Sequence, residues 1–162
     1  MSANVQEPKP YTWRSLVTLL VLTLGGGALT ALLTRSSMDT YETLTKPTFA
    51  PPEWVFPAAW IVLYALMSIS IWLVLRTGCR ARYRLLALYF IQLLINLAWP
   101  FLFFTLEAFG LAFFWLLLLW GLVLILMLRT FTYTRTGGWL LLPYQLWLTF
   151  AALLNFFIAR LN

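Results

Sequence analysis

Five stretches of the chain contain no Asp, Glu, Lys or Arg: residues 15–34, 56–75, 85–106, 108–128 and 139–159. Every charged side chain falls between or outside them. A helix rising about 1.5 Å per residue crosses a hydrocarbon layer of about 30 Å in about 20 residues, so each stretch is long enough to span a bilayer. Helices are expected rather than strands, because lipid cannot satisfy open backbone groups and barrel strands would alternate with period two over about ten residues. The expected fold is all-α, an integral membrane bundle of five transmembrane helices forming one domain over residues 1–162. Glu107 alone separates the third span from the fourth, with Thr105 and Gly110 beside it marking a tight turn. Lys9 and Arg14 ahead of the first span also fit a secretory leader, but the run outlasts a usual leader core and lacks a clear small-x-small cleavage site. A retained first helix is therefore the favoured reading.

Composition agrees: 62% of residues are hydrophobic and 10% charged, against about half and about a quarter in a soluble domain. Aromatic residues make up 18% of the chain, with nine Trp, which points to a membrane boundary or a ring-lined cavity. There is no His, and Cys79 is the single cysteine. A His-dependent triad, a zinc site of His and Cys ligands and an intrachain disulfide are thereby excluded, and no metal site is expected. The net charge of +6 must be placed relative to the spans. Five crossings put Lys9, Arg14, Arg76, Arg80, Arg82, Arg84, Arg129 and Arg135 on one side and Arg35, Lys46 and Arg160 on the other. The richer side, with the N-terminus, is expected in the cytoplasm. The Arg cluster then reads as a topology signal beside anionic lipid, and no nucleic-acid partner is expected.

The absence of charge inside the spans argues against ion-coupled transport and proton pumping, which use intramembrane carboxylates or His. Gln92, Asn96, Gln145 and Asn155 remain, with hydroxyls on Tyr64, Ser68, Ser70 and Tyr144. Gln92, Asn96 and Trp99 form one stripe on the third helix, and Pro100 after them marks a kink. Trp147, Ala151 and Asn155 recur every four residues on the fifth, where they can shape a pocket wall. Such amides serve either as interhelical glue, at about 0.6–2 kcal/mol each, or as ligand contacts. The Gly25-Gly26-Gly27 run lacks the Gly-Lys-Ser/Thr of a phosphate loop, and Gly27 with Ala31 fits close helix packing, within the chain or in a dimer. The loop between the first two spans ends in a segment with Pro47, Pro51, Pro52 and Pro57, which limit its backbone freedom. It reads either as a spacer with Trp54 and Phe56 anchoring the interface or as a lid over a cavity in the bundle.

Three motifs closely resemble the translocator protein family, also called tryptophan-rich sensory proteins or TspO/MBR and known in mitochondria as the peripheral benzodiazepine receptor. The first is Tyr41 followed by Lys46-Pro47-x-Phe49-x-Pro51-Pro52-x-Trp54-x-Phe56-Pro57-x-x-Trp60 and Leu63-Tyr64-x-x-Met67. The second is Gln92-Leu93-x-x-Asn96-x-x-Trp99-Pro100 with Phe103-Phe104. The third is Pro143-Tyr144-x-x-Trp147-x-x-Phe150-Ala151-x-x-Leu154-Asn155. The resemblance implies a five-helix bundle, often a homodimer, with the first loop folded over a pocket. It implies a porphyrin ligand, protoporphyrin IX or haem, or another aromatic small molecule, with no cofactor required. By position the pocket would use Tyr41, Trp60, Asn96, Trp99, Trp147 and Ala151, and the rings linked to porphyrin photochemistry in the family would be Trp60 and Trp147. Where animal relatives carry a cholesterol pattern with a Tyr, this chain reads Leu153 to Arg160 without one, so high-affinity cholesterol binding is doubtful and a bacterial cell-membrane role is favoured. Three functions stand side by side: a tetrapyrrole sensor or receptor, a light-dependent porphyrin-degrading enzyme, and a facilitated transporter of porphyrins or lipids.

Overall fold

A computed structural model describes residues 12–37, 41 and 43–162; Lys9, counted above toward the cytoplasmic side, lies outside them. Five long helices account for most of the chain: α1 (Trp13–Thr34), α2 (Val55–Arg76), α3 (Arg82–Pro100), α4 (Phe109–Phe131) and α5 (Arg135–Leu161). A single 3-10 turn, Arg35–Ser37, follows α1, and a π-helical turn, Phe101–Thr105, follows α3. All regular structure among the described residues is helical, and all five helices are long and apolar enough to cross a membrane.

The helices run past the charge-free stretches and carry Arg14, Arg76, Arg82, Arg84, Arg129, Arg135 and Arg160 in or near their end turns. Long stems let these guanidinium groups reach the polar interface while the backbone stays helical. Membrane depth rather than the helix dipole sets these positions, since Arg14, Arg82, Arg84 and Arg135 stand at N-terminal ends where the dipole disfavours a cation. Facing outward are Val21, Leu29, Leu94, Phe114 and Leu146, each more than half exposed, an arrangement suited to lipid.

The junction at Glu107 is a turn. Pro100 has no N–H to donate, and just beyond it the helix widens into the π turn. The turn closes as Leu106 N–H donates to Phe101 O at 2.9 Å and Ala108 N–H to Leu102 O at 3.0 Å. Between them Glu107 adopts φ 50°, in the left-handed region that costs a residue with a Cβ about 1–2 kcal/mol. Asn155 braces the turn from α5 by donating Nδ2 to Phe109 O at 2.9 Å.

The helices form a closed ring in the order α1, α2, α5, α4, α3 and back to α1, with α2 also touching α3. One half of the ring is solid: Met67, Ile71, Val74, Tyr89, Val123, Leu126, Leu141 and Leu148 are buried there. The other half, at the end that carries the first loop, is hollow. Between the halves α1 comes very close to α2, because a Cβ at Gly27 would collide with the Tyr64 ring. Gly27 thus serves a contact within the chain.

Candidate functional site

The hollow half encloses a cavity of about 530 Å³, within the range of roughly 300–1,000 Å³ that holds small ligands. All five helices and the first loop contribute to its wall. Rings stand along it: Phe56, Trp60 and Tyr64 from α2, Trp99 from α3, Phe103 and Phe104 from the π turn. Trp60 lies over Tyr64 with centroids 5.3 Å apart, and Trp99 stacks on Phe103 at 4.9 Å with planes 26° apart.

The floor is a connected set of neutral polar groups. Tyr64 donates its hydroxyl to Asn96 Oδ1 at 2.7 Å, and Asn96 Nδ2 donates to the Tyr144 hydroxyl at 2.6 Å. Tyr144 donates onward to Gln92 Oε1 at 3.0 Å, while Gln92 Nε2 donates to Tyr89 O at 3.0 Å and to the Met67 sulfur at 2.9 Å. Tyr89 is bonded through its hydroxyl to Thr23 and to Ser68, the latter at 3.2 Å. One network therefore joins α1, α2, α3 and α5. Asn96 bonds across helices and also lines the cavity. Asn155 is likewise shared, since Trp99 Nε1 donates to its Oδ1 at 3.4 Å and both side chains face the cavity.

The roof is the loop that precedes α2. Its prolines set two turns, with Ala50 N–H donating to Pro47 O at 3.0 Å and Val55 N–H to Pro52 O at 3.1 Å. Phe49 packs edge-on against Phe157 at 5.5 Å, and Asn162 grips the backbone of Thr45 twice, accepting from its N–H at 3.0 Å and donating to its carbonyl at 3.1 Å. Tyr41 and Glu53 reach the cavity from this loop, and Tyr41 meets Phe56 edge-on at 5.5 Å. Burial first, and the Glu53 carboxylate second, push the Tyr41 phenol above its ordinary pKa, so it remains a neutral donor. The lid arrangement is the one observed, with Phe56 turned inward and only Trp54, 70% exposed, left at the surface.

Of the residues singled out in the sequence, Tyr41, Trp60, Asn96, Trp99 and Ala151 meet at this cavity. Trp147 does not line it. Trp147 stands behind Trp60 at 6.5 Å and Phe56 at 6.0 Å, facing an apolar groove on the outer surface between α2 and α5 with Trp54, Pro143 and Leu146. The reason is helical phase: each step of four residues advances about 40° beyond a full turn, so Trp147 lies about 80° around α5 from Asn155. Sequence reasoning passed over Glu53, the α1 wall of Leu24, Thr30 and Thr34, and the pair Phe103 and Phe104 as wall residues. Thr30 and Thr34, four apart in an apolar helix, were the available signal for the α1 contribution.

Fold and site together define a class: a helical membrane protein with a roofed, ring-lined cavity over an uncharged polar floor. Comparison with known proteins narrows it, since residues 17–161 match the TspO/MBR family. The chain is 35% identical over 150 residues to the tryptophan-rich sensory protein of Cereibacter sphaeroides, covering 93% of this chain and 92% of that one. It is 36% identical over 124 residues to the tryptophan-rich protein TspO of Chlorobaculum tepidum, covering 75% and 78%, and 36% identical over 140 residues to the translocator protein of Ovis aries, covering 85% and 83%. The chain belongs to the TspO/MBR family and is an integral membrane protein.

The floor makes a testable demand. Tyr144→Phe leaves Gln92 Oε1 and Asn96 Nδ2 each without a partner, so it should destabilise the protein by about 1–3 kcal/mol although it deletes a single oxygen. Thr18→Val, which removes an exposed hydroxyl bonded within α1 to Arg14 O at 3.0 Å, should cost less than about 1 kcal/mol. Unfolding of both variants in mixed micelles, followed by Trp fluorescence, checks the difference.

Proposed function

We propose that this protein is a membrane tetrapyrrole sensor whose cavity holds a porphyrin by its faces. The observation that carries the reading is the wall itself, in which Trp60, Trp99, Phe103 and Phe104 surround a space roofed by a braced loop. A flat aromatic macrocycle gains from such rings about 0.5–1.5 kcal/mol per pair beyond the burial of area. Family membership supports it, and one relative bears the name tryptophan-rich sensory protein. Among the described residues, neither His, Cys nor Met lines the cavity, and the Met67 sulfur is engaged by Gln92. Binding therefore rests on ring contact more than on axial ligation of iron.

A second reading, light-dependent porphyrin breakdown, is favoured by one observation: Trp60 at the cavity is backed by Trp147, offering an oxidisable indole with a second indole behind it. In the dark, metal-free protoporphyrin IX should bind about as tightly as haem and quench Trp fluorescence. A strong preference for haem with a spectrum of strong axial ligation would refute binding by stacking. Under illumination the Trp60→Phe, Trp147→Phe double variant should lose breakdown far more than affinity, since phenyl is much harder to oxidise than indole. Full breakdown by that variant would remove the second reading.

On this reading the protein sits in a bacterial cell membrane, with the turn of residues 77–81 in the cytoplasm and the loop roof on the opposite side. The count of Arg and Lys supports that orientation. In a Cys79→Ser background, an impermeant thiol reagent applied to intact cells should modify Ser37→Cys and spare Thr77→Cys. The reverse labelling would invert the topology.

A further inference from the structure

The mouth of the cavity holds a group of polar side chains that ring stacking leaves unexplained. Tyr41 is 6% exposed and lines the cavity, yet its hydroxyl has no hydrogen-bond partner. A buried hydroxyl without a partner costs about 1–3 kcal/mol, and Phe would fill the same space without that cost. Lys46 places its ammonium 4.2 Å from the centre of the Tyr41 ring and 4.0 Å from Glu53 Oε1. That ion pair is long and partly open to solvent, with the two side chains 28% and 48% exposed, so the ammonium retains capacity for a second acceptor. Tyr41, a donor that lacks an acceptor, and Glu53 thus line the cavity on its loop side, and a loosely held cation stands against both of them without itself forming part of the wall.

We propose that Tyr41, Lys46 and Glu53 form a carboxylate-reading rim. The Tyr41 hydroxyl donates to an anionic carboxylate on the edge of an aromatic ligand, the Lys46 ammonium pairs with it, and Glu53 competes for that ammonium. The ligand class is a rigid aromatic that buries its faces among the rings and presents an acidic edge at the loop. The inference rests on the porphyrin reading, because the propionates of a porphyrin supply that edge. Braced backbone makes the rim a fixed feature, since Asn162 holds Thr45 immediately before Lys46 and a Pro52–Val55 turn holds Glu53.

Protoporphyrin IX and its dimethyl ester share one macrocycle and differ in the charge of the propionates, so they separate the rim from the rings. Both are titrated in the dark, in an uncharged detergent, by quenching of Trp fluorescence. The wild-type protein should bind the diacid about fivefold more tightly than the diester, the ratio expected of a partly exposed charge pair at about 1 kcal/mol. Lys46→Met should remove the preference while the diester still binds, which also shows that the variant is folded. Glu53→Gln should tighten the diacid alone, since it removes both a competitor for Lys46 and a like charge. Tyr41→Phe should weaken the diacid without lowering the thermal midpoint, a combination that a purely structural role for the hydroxyl does not produce. Equal affinity for the two compounds in the wild type, or a preference that survives Lys46→Met, overturns the rim and leaves the ring-lined site standing. Binding of neither compound rejects the porphyrin reading and the rim with it.

Discussion

Hydrocarbon offers a buried hydroxyl or amide no partner, so a polar group placed between membrane helices is stabilised by one on another helix. Tyr64, Asn96, Tyr144 and Gln92 meet that demand by bonding in sequence, and Tyr89 extends the chain to Thr23 and Ser68. All members are neutral, which avoids the far larger cost of burying charge in this medium. Directionality gives the network its structural effect. Apolar packing is less directional, whereas the Tyr64–Asn96–Tyr144 link ties the rotation of α2, α3 and α5 together at one level of the bundle.

The hollow end depends on that level. Below it, Met67, Ile71, Val74 and Leu148 pack solidly. Above it the walls enclose the cavity, and the helices are tied again at their far ends: Asn155 joins α3, α5 and the Glu107 turn, and Asn162 joins α5 to the roof. The cavity is thereby braced at both floor and rim. Roof rigidity follows from the same logic, since the proline turns reduce the freedom that the loop would otherwise lose on ordering.

Most of the fold was legible in the sequence because lipid imposes a severe filter: a run of about twenty residues without charge has few uses other than a span. The Glu107 junction was legible as well, although its widened turn was not, because a π turn depends on how the freed Pro100 position is repacked rather than on local preference. The site was legible in part. Stripes of polar residues at helical spacing pointed to Asn96 and Ala151, and the family resemblance added Tyr41 and Trp60. Trp147 shows the limit of stripe reasoning: a repeat of four drifts around the helix, and over eight residues the drift moves a ring from the inner wall to the outer groove. Glu53 and the α1 residues were not legible, since the fold of the roof and the approach of α1 at Gly27 are tertiary facts.

A ligand held in the inner cavity, and not in the outer groove beside it, must respond to a change in one space and not in the other. Ala151 lines the first and Ala58 the second, so a phenyl ring added at either position fills one space and spares the other. Dark titration of protoporphyrin IX against Ala151→Phe and Ala58→Phe, with thermal midpoints recorded for both, is the direct comparison. Ala151→Phe should weaken binding by about tenfold or more, equivalent to about 1.4 kcal/mol, while Ala58→Phe should leave it unchanged with both proteins folded. Full affinity in a folded Ala151→Phe protein, or loss of affinity confined to Ala58→Phe, would contradict binding in the inner cavity.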